Sequence, residues 1–369
     1  MRGTSSLNLP RDFVIILACT VVVFVLIEMF CQARCFETDY VFVVVEPGMS
    51  FKQIAERFAS QGIITNKQIF MALSRLLGIE KKARAGRYRF ERTSDMIDIL
   101  RALYRGATFR ERILILPGRT IEGVAHVLAQ RAGVDSVGFV TLARDSVFVS
   151  SLGVPSKTAE GYLFPDTYEV EWNEKPATII TQMVRAFFKA FDDSMMMRAK
   201  HMGMSLNEVV TLASIIEKEA MLDRERPRIS AVFHNRLRRG MKLQADPTVR
   251  YALKKWTGRL LYDDLKVDSP YNTYRVKGLP PAPICSPGLA SLIAALYPMP
   301  GSDELYFVAQ GDGSHYFSRT AREHLKAKQR YKRYLRKLRA QMAARAQSEN
   351  AGRADGKKQG ESEVNQRNK

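Results

Sequence analysis

The sequence predicts an α+β protein in which a small strand-and-helix module precedes a larger mixed α/β domain. Two observations support this class. A strand, a Pro-Gly turn and an amphipathic helix follow one another in residues 41–62 and again in residues 113–132. Farther along the chain, apolar residues spaced three and four apart predict helices, one of them over residues 178–200. Residues 305–309 and 315–317 predict a hairpin around a Gly-Asp-Gly turn.

An apolar run near the N-terminus predicts a single-pass membrane anchor over residues 13–30. Its first fifteen residues are uncharged and mostly apolar, a length that also suits the apolar region of a signal peptide. No cleavage site of small residues follows, which favours an uncleaved anchor. Arg2 and Arg11 precede the run. The positive-inside bias therefore predicts a short cytoplasmic N-terminus, residues 1–12, and places the rest on the periplasmic or extracytoplasmic side of the inner (cytoplasmic) membrane.

The repeated unit predicts a compact module over residues 41–110. Residues 45–62 and 115–132 share the Pro-Gly turn, a Ser or Thr helix cap and four apolar positions at a constant offset. In the first copy, a second helix over residues 66–77 and a strand over residues 85–90 complete a β-α-α-β unit. LysM-like glycan-binding modules are built from such units, although the unit is also a common supersecondary arrangement.

Positive charge is concentrated near the C-terminus. The formal net charge is +19, and residues 319–369 hold 16 Lys and Arg against 5 Asp and Glu. Residues 347–369 are polar with almost no large apolar side chains, which predicts a disordered basic tail. Such charge suits an anionic polymer or lipid. A nucleic-acid partner conflicts with the predicted position of the chain outside the cytoplasm.

The sequence shows no metal-binding pattern. His234 lies alone on a helix predicted over residues 227–239, without a second ligand at metal spacing. The chain has four cysteines, Cys19, Cys31, Cys35 and Cys285. They lack the pair-of-pairs spacing of zinc sites and imply no disulfide framework, so no metal is predicted.

Two glutamates lie within an otherwise apolar helix predicted over residues 207–222. Ser205 precedes this helix as a predicted N-cap. Glu217 and Glu219 fall on opposite shoulders of the apolar stripe. A carboxyl group in such poorly solvated surroundings has a raised pKa, as a general acid needs. The periodicity is equally compatible with either glutamate as the acid, and with both as surface residues beside the stripe.

The chain then carries three loops of polar, aromatic and proline residues, over residues 243–248, 269–274 and 278–288. The last contains four prolines in eleven residues, which predicts an extended, non-helical backbone. Such loops suit the wall of a cleft beside a carboxylate helix, and equally a rigid connector.

A series of motifs carries a resemblance to a known family. In order, the motifs are LASIIEKEA, FHNRLRRGMKLQADPTVRYAL, SPYNTYRVKGLPPAPICSPG, LYFVA and GSHYFS. The upstream segments EPGMSFKQIAERF, AGRYRF and EGYLFPDTY extend the series. Together they resemble the YceG/MltG family of endolytic murein transglycosylases over about residues 12–340, which leaves out the tail.

The resemblance implies a membrane-anchored enzyme with a LysM-like module and a catalytic domain over residues 111–346. It implies cleavage of the β-1,4 bond between N-acetylmuramic acid and N-acetylglucosamine within peptidoglycan strands, leaving 1,6-anhydromuramic acid ends. It places the catalytic acid on Glu217, the first glutamate of the SIIEKE motif. No cofactor is needed for this chemistry. Peptidoglycan synthases are the implied protein partners, with a role in terminating or releasing nascent strands.

The motif loops supply candidate residues for holding the sugar, although each also suits a hydrogen bond that fixes a loop. The candidate substrate-binding residues are Gln244, Asp246, Thr248, Tyr271, Asn272, Tyr274, Ser286 and His315. Two other functions are compatible with the sequence. A two-carboxylate hydrolase would use Asp166 or Asp246 as base or nucleophile. A noncatalytic glycan-binding scaffold of wall synthesis would leave Glu217 on the surface.

Overall fold

The computed structural model describes residues 40–91, 94–106, 108–336 and 340–342. The predicted anchor over residues 13–30, the predicted N-terminal and C-terminal segments, and three of the cysteines lie outside these residues. Within the described ranges, no helix combines the length and the apolar character that crossing a membrane requires.

The α+β class predicted from the sequence is confirmed. The strands form three two-stranded antiparallel sheets, β1 with β2, β3 with β4, and β5 with β6. The strands are β1 (Tyr40–Val45), β2 (Gly86–Glu91), β3 (Glu111–Leu114), β4 (Thr167–Val170), β5 (Tyr306–Ala309) and β6 (His315–Ser318).

The helices account for most of the regular structure. They are α1 (Phe51–Ser60), α2 (Lys67–Leu76), α3 (Met96–Arg105), α4 (Ile121–Ala132), α5 (Ser136–Ala143), α6 (Ser146–Ser151), α7 (Pro176–Ala190), α8 (Asp193–His201), α9 (Leu206–Glu219), α10 (Arg226–Arg238), α11 (Asp246–Leu253), α12 (Leu289–Leu296) and α13 (residues 321–336). Short 3₁₀ turns occupy Asp223–Glu225 and Asp264–Lys266.

The chain divides into two compact units. The first contains the described residues up to Ile115, together with Val124–Thr141 and Asp166–Ile179. The second contains Leu116–Gly123, Leu142–Pro165 and the described residues from Ile180 onward.

The first unit contains the predicted β-α-α-β arrangement, formed by β1, α1, α2 and β2. Ser50 caps α1 through a reciprocal capping box with Gln53, as the Pro-Gly-x-Ser pattern predicts. Phe51 and Phe70, on the two helices, stack with ring centroids 5.5 Å apart in a shared apolar core. The second copy of the repeat has the same order of strand β3, Pro-Gly turn and helix α4. The Gly123 N–H donates to Thr120 Oγ1 at 3.3 Å at the start of α4, as the predicted Thr cap requires.

Helix α9 is the central helix of the second unit. Ser205 caps it in a capping box with Glu208, and it ends at Glu219 because Ala220 has extended backbone angles. The sequence predicts one apolar stripe, but every residue from Val209 to Ile216 is buried. The reason is that α8, α10, α11 and α12 all pack against α9 and cover more of its surface than one stripe.

One predicted helix is wrong in its extent. The sequence predicts a single helix over residues 178–200, but the structure has α7 and α8 with a break between them. Asp192 lies at this break and accepts a hydrogen bond from the Met195 N–H at 2.9 Å, which starts a new helix. The N-cap preference of aspartate outweighs the continuous apolar period here.

The proline-rich loop over residues 278–288 is non-helical, as predicted. Its Ile284 N–H donates to Ser214 Oγ of α9 at 3.0 Å. Farther along, Ser286 exchanges backbone hydrogen bonds of 2.8 Å with Gly118 and Arg119. The first bond holds the loop against the C-terminal half of α9, and the other two hold it against the turn before α4.

Candidate active site

A cavity of about 230 Å³ lies at the C-terminal end of α9. Its walls come from the end of α9, the start of α11, the turn after α11 and the proline-rich loop. The lining residues are Lys218, Glu219, Asp246, Pro247, Arg250, Trp256 and Ile284, and we call this the acid cavity. Pockets for whole drug-sized ligands measure about 300–1,000 Å³, so the acid cavity suits one portion of a larger molecule.

Glu219 has the electrostatic surroundings of a general acid. Burial, with a smaller contribution from the charge of Asp246, raises the pKa of Glu219 to about 8, against the lowering influence of Arg236. Within the described part of the chain, its carboxyl group has no hydrogen-bond or ion-pair partner. Glu219 is therefore largely protonated at neutral pH, and its proton is available to a ligand.

Asp246 is held in the same cavity by a neighbouring tyrosine. The Tyr274 hydroxyl donates to Asp246 Oδ1 at 2.5 Å. The loop before α11 is held by a side chain of α10. Arg236 of α10 is buried and donates from Nη1 to the Leu243 carbonyl at 2.6 Å. Asp246 and Tyr274, two predicted site residues 28 positions apart, are thus brought together.

Glu217 has the surroundings of a structural carboxylate. Its side chain is 9 % exposed and does not line the acid cavity. Glu217 Oε2 accepts hydrogen bonds from the Gly288 N–H at 3.0 Å and Ser291 Oγ at 2.8 Å, and it lies 3.4 Å from Nη1 of Arg226. Gly288 is the N-cap of α12, where a carboxylate satisfies unpaired N–H groups and interacts favourably with the helix dipole. The catalytic role of Glu217 stays a prediction, and its observed contacts tie α12 to α9.

A second carboxyl group with a raised pKa supports one wall of the acid cavity. Glu160 is 1 % exposed, and burial raises its pKa to about 8. Its Oε2 accepts hydrogen bonds from the Ile121 N–H at 3.4 Å and the Tyr251 hydroxyl at 3.3 Å. The Tyr251 ring in turn contacts the rings of Trp256 and Tyr271. Glu160 therefore positions the aromatic group to which Trp256 belongs.

Three of the predicted substrate-binding residues are completely buried. Thr248 Oγ1 donates to the Ala245 carbonyl at 2.7 Å, and Asn272 Nδ2 donates to the Leu265 and Val267 carbonyls at 2.9 and 2.8 Å. Ser286 has a buried hydroxyl without a partner in the described ranges. The first two side chains fix the loops around the acid cavity, and the contact of all three with substrate stays a prediction.

The remaining predicted residues differ in their surroundings. Gln244 is exposed with φ of +51°, and its N–H donates to the Thr273 carbonyl at 3.1 Å. Tyr271 packs on Tyr251. His315 lies on β6, where its Nδ1 is 2.7 Å from Glu225 Oε2. Among the eight predicted residues, all of them in described ranges, Asp246 alone lines the acid cavity.

The sequence motifs do not distinguish three of the lining residues, Lys218, Arg250 and Trp256, from their neighbours. Each is a common surface residue type, and Trp256 follows α11 without a turn motif. A tryptophan in a polar cavity offers a flat apolar face that suits a sugar ring. In the residues that the structure describes, no group of three or more His, Cys, Asp and Glu could hold a metal ion.

The model of the YceG-like family matches residues 43–330 of this chain. The chain belongs to the YceG-like family. This membership confirms the resemblance predicted from the motifs, and the matched region includes every residue that lines the acid cavity.

Relatives and a solved structure agree with this membership. A protein of Bacillus subtilis (strain 168) named endolytic murein transglycosylase is 33 % identical over 305 residues, which cover 78 % of this chain and 83 % of the relative. A Streptococcus pneumoniae (strain R6) protein of the same name is 28 % identical over 320 residues, covering 77 % of this chain and 57 % of the relative. The crystal structure of a YceG-like protein from Listeria monocytogenes is 32 % identical with a TM-score of 0.55, covering 78 % of this chain and 99 % of that chain.

Proposed function

We propose that this protein is an endolytic lytic transglycosylase. It cleaves the β-1,4 bond between N-acetylmuramic acid and N-acetylglucosamine within peptidoglycan strands and leaves 1,6-anhydromuramic acid ends. The observation that carries the proposal is Glu219, a carboxyl group with a pKa of about 8 and no partner among the described residues, in a cavity that also contains Trp256. The name of the Bacillus subtilis relative supports the substrate class.

A single carboxyl group can perform both proton transfers of this reaction. As the acid, Glu219 donates its proton to the glycosidic oxygen, and the electron pair of the C1–O bond leaves with that oxygen. The positive charge that develops at the ring lies near the carboxylate of Asp246, which Tyr274 holds in place. Glu219, now a carboxylate, takes the proton of the C6 hydroxyl as O6 bonds to C1. The anhydro ring forms, Glu219 regains its proton, and no water is consumed.

The choice of Glu219 over Glu217 rests on their contacts. A general acid needs a proton that faces the substrate, and Glu217 instead accepts bonds from Gly288 and Ser291 beside Arg226. The resemblance places the acid on the first glutamate of the motif, whereas the geometry favours the second.

A two-carboxylate hydrolase is the second candidate function, because both Glu219 and Asp246 line the acid cavity. In that reaction Asp246 would activate a water or attack C1. Asp166 belongs to the first unit and does not line this cavity. Mass spectrometry of fragments from uncrosslinked, peptide-bearing strands separates these functions. Internal fragments with anhydro ends support the transglycosylase, fragments one water heavier support the hydrolase, and glycan binding without cleavage supports the scaffold.

The rate of cleavage is expected to fall as the pH rises above about 8. Glu219 must be protonated to act as the acid, and its pKa is about 8, so the active form is retained below this pH and lost above it. We expect a roughly tenfold fall in kcat for each pH unit above 8. Initial rates from pH 6 to 10, with circular dichroism as a control for folding, check this. A rate that rises through pH 8 contradicts the assignment.

We also propose that residues 13–30 anchor the protein in the inner membrane, with the described residues on the extracytoplasmic side and peptidoglycan synthases as neighbours. The proposal rests on the apolar run and the arginines before it. Fractionation of cells that produce the full chain, or a chain without residues 13–30, tests the anchor. Recovery of both chains in the soluble fraction would remove it.

The β-α-α-β unit of the first compact unit supports a further part of the proposal. We propose that it is LysM-like and binds glycan, because β1, α1, α2 and β2, together with α3, form a small module around one apolar core. A Glu219→Gln chain should then sediment with purified peptidoglycan without cleaving it. Failure to sediment at low salt would count against glycan binding by this module.

A further inference from the structure

A second, larger cavity lies in the same unit and takes no part in the chemistry proposed above. It has a volume of about 790 Å³, within the range of ligand-binding sites. The N-terminal half of α9, helix α10 and the start of the proline-rich loop contribute to its walls. Its apolar lining includes Met202, Pro280, Pro281, Met299 and Pro300. We call it the arginine cavity, because Arg198 and Arg238 also line it.

The two arginines carry charge that no carboxylate of the described ranges neutralises. Arg198 Nε donates to the Leu296 carbonyl at 3.1 Å, and Arg238 Nη2 donates to Asn235 Oδ1. Neither guanidinium forms a salt bridge with a residue that the structure describes. The acidic residue in the lining, Glu208, has Oε2 engaged by the Ser205 N–H and hydroxyl, both at 2.8 Å. Two guanidinium groups against this one carboxylate leave the lining with a net positive charge, so the arginine cavity favours an anionic ligand.

Both arginines lower the pKa of the same histidine in the cavity wall, His234. Burial first, and then the charges of Arg238 and Arg198, lower the pKa of His234. His234 Nε2 lies 2.8 Å from the Ala295 carbonyl, so the neutral ring is held as a polar group. The positive fields of the two arginines thus overlap at the wall of the cavity.

The lining also contains an unused polar atom. Thr211 is 1 % exposed, and its Oγ1 has no hydrogen-bond partner in the described part of the chain. A buried hydroxyl without a partner costs free energy, which a ligand with a carbonyl or amide would recover. Cations, apolar rigid walls and a free hydroxyl together fit a short peptide that carries carboxylates.

The arginine cavity is within reach of a peptide attached to a sugar in the acid cavity. Thr211 and Glu219 are eight residues apart on α9, which corresponds to about 12 Å along the helix axis. An extended peptide of three to five residues spans roughly 10–17 Å. A stem peptide on the muramic acid that contacts Glu219 is therefore long enough to reach the arginine cavity.

We propose that the arginine cavity binds the carboxylate-bearing stem peptide of the glycan strand, so that the protein selects strands that carry peptides. This inference rests on the proposed function, which supplies the substrate class. The apolar side chains of the peptide contact the prolines and methionines, and its carboxylates pair with Arg198 and Arg238.

Kinetics on two substrates test this binding. Arg238→Gln is expected to raise KM about tenfold on peptide-bearing strands and to leave cleavage of strands stripped of peptides unchanged. Arg239→Gln is the matched control, because Arg239 is the next residue, is exposed and does not line the cavity. It should behave as the native protein on both substrates. Equal KM values for native and Arg238→Gln proteins on peptide-bearing strands would overturn the inference and leave the proposed function intact.

A binding measurement tests stem-peptide binding independently of strand cleavage. A disaccharide-tripeptide is titrated into the full chain by calorimetry, alongside the same compound with amidated carboxylates. Binding that weakens about tenfold with Arg238→Gln and with amidation supports the inference even if no strand is cleaved, in which case the proposed function alone fails. Binding that neither change affects, or absence of binding, overturns the inference.

Discussion

Replacement of Glu219 by glutamine is expected to lower kcat on the order of 10³-fold or more. Glutamine keeps the shape of the side chain but cannot transfer a proton. A positioned general acid contributes roughly 10²–10⁴-fold, and the upper part of this range applies because one group performs both proton transfers. The fold should persist, since the carboxyl group of Glu219 has no partner to lose within the described ranges. Release of fragments from uncrosslinked strands, followed by liquid chromatography and mass spectrometry, measures the rate.

Glu217→Gln is the matched control on the same helix. It removes a charge that Arg226, Gly288 and Ser291 engage, so we expect a loss of about 1–3 kcal/mol in the free energy of unfolding. Most of the activity should remain at temperatures well below the unfolding transition. Full loss of activity in Glu217→Gln, with retention in Glu219→Gln, would return the catalytic acid to Glu217. Unchanged rates in both variants would point away from a glutamate of this motif.

Gly161→Ala is expected to cause the largest loss of stability, about 2–5 kcal/mol in the free energy of unfolding. Gly161 has φ of +87°, a conformation that disfavours any side chain. A Cβ at this position would lie 2.5 Å from Cβ of Pro283 and 2.9 Å from Cγ1 of Val210, a buried residue of α9. The added methyl group must therefore displace the proline-rich loop or the central helix. Urea unfolding followed by circular dichroism measures the change.

Gly278→Ala separates the cost of a side chain at positive φ from the cost of the close contacts with Pro283 and Val210. Gly278 has φ of +86°, nearly the same as Gly161, but a Cβ there meets no atom within 4 Å. Its substitution should cost only the conformational part, about 1–2 kcal/mol. Equal losses in the two variants would show that the close contacts with Pro283 and Val210 contribute nothing. A larger loss in Gly161→Ala, with lower activity because Ile284 lines the acid cavity, is the expected outcome.

The elements whose signals are local can be predicted from the sequence alone. Ser205 and Glu208 form the capping box of α9, and Ser50 and Gln53 form that of α1, within four consecutive residues each. The β-α-α-β unit follows from alternation, a Pro-Gly turn and helical periodicity in one stretch of chain. Even here a local signal was missed, since the cap at Asp192 divides a helix that periodicity predicts to be continuous.

The difference between the two glutamates of α9 arises from contacts that form only in the folded chain. Helical geometry places both beside the apolar stripe, and no pattern near them in sequence separates their surroundings. The packing of α12 gives Glu217 its partners at Gly288 and Ser291, about seventy residues away. The start of α11 brings Asp246 to the cavity of Glu219. Burial and charge at a carboxyl group depend on such distant neighbours, and for that reason the different surroundings of Glu217 and Glu219 could not be predicted from the local sequence.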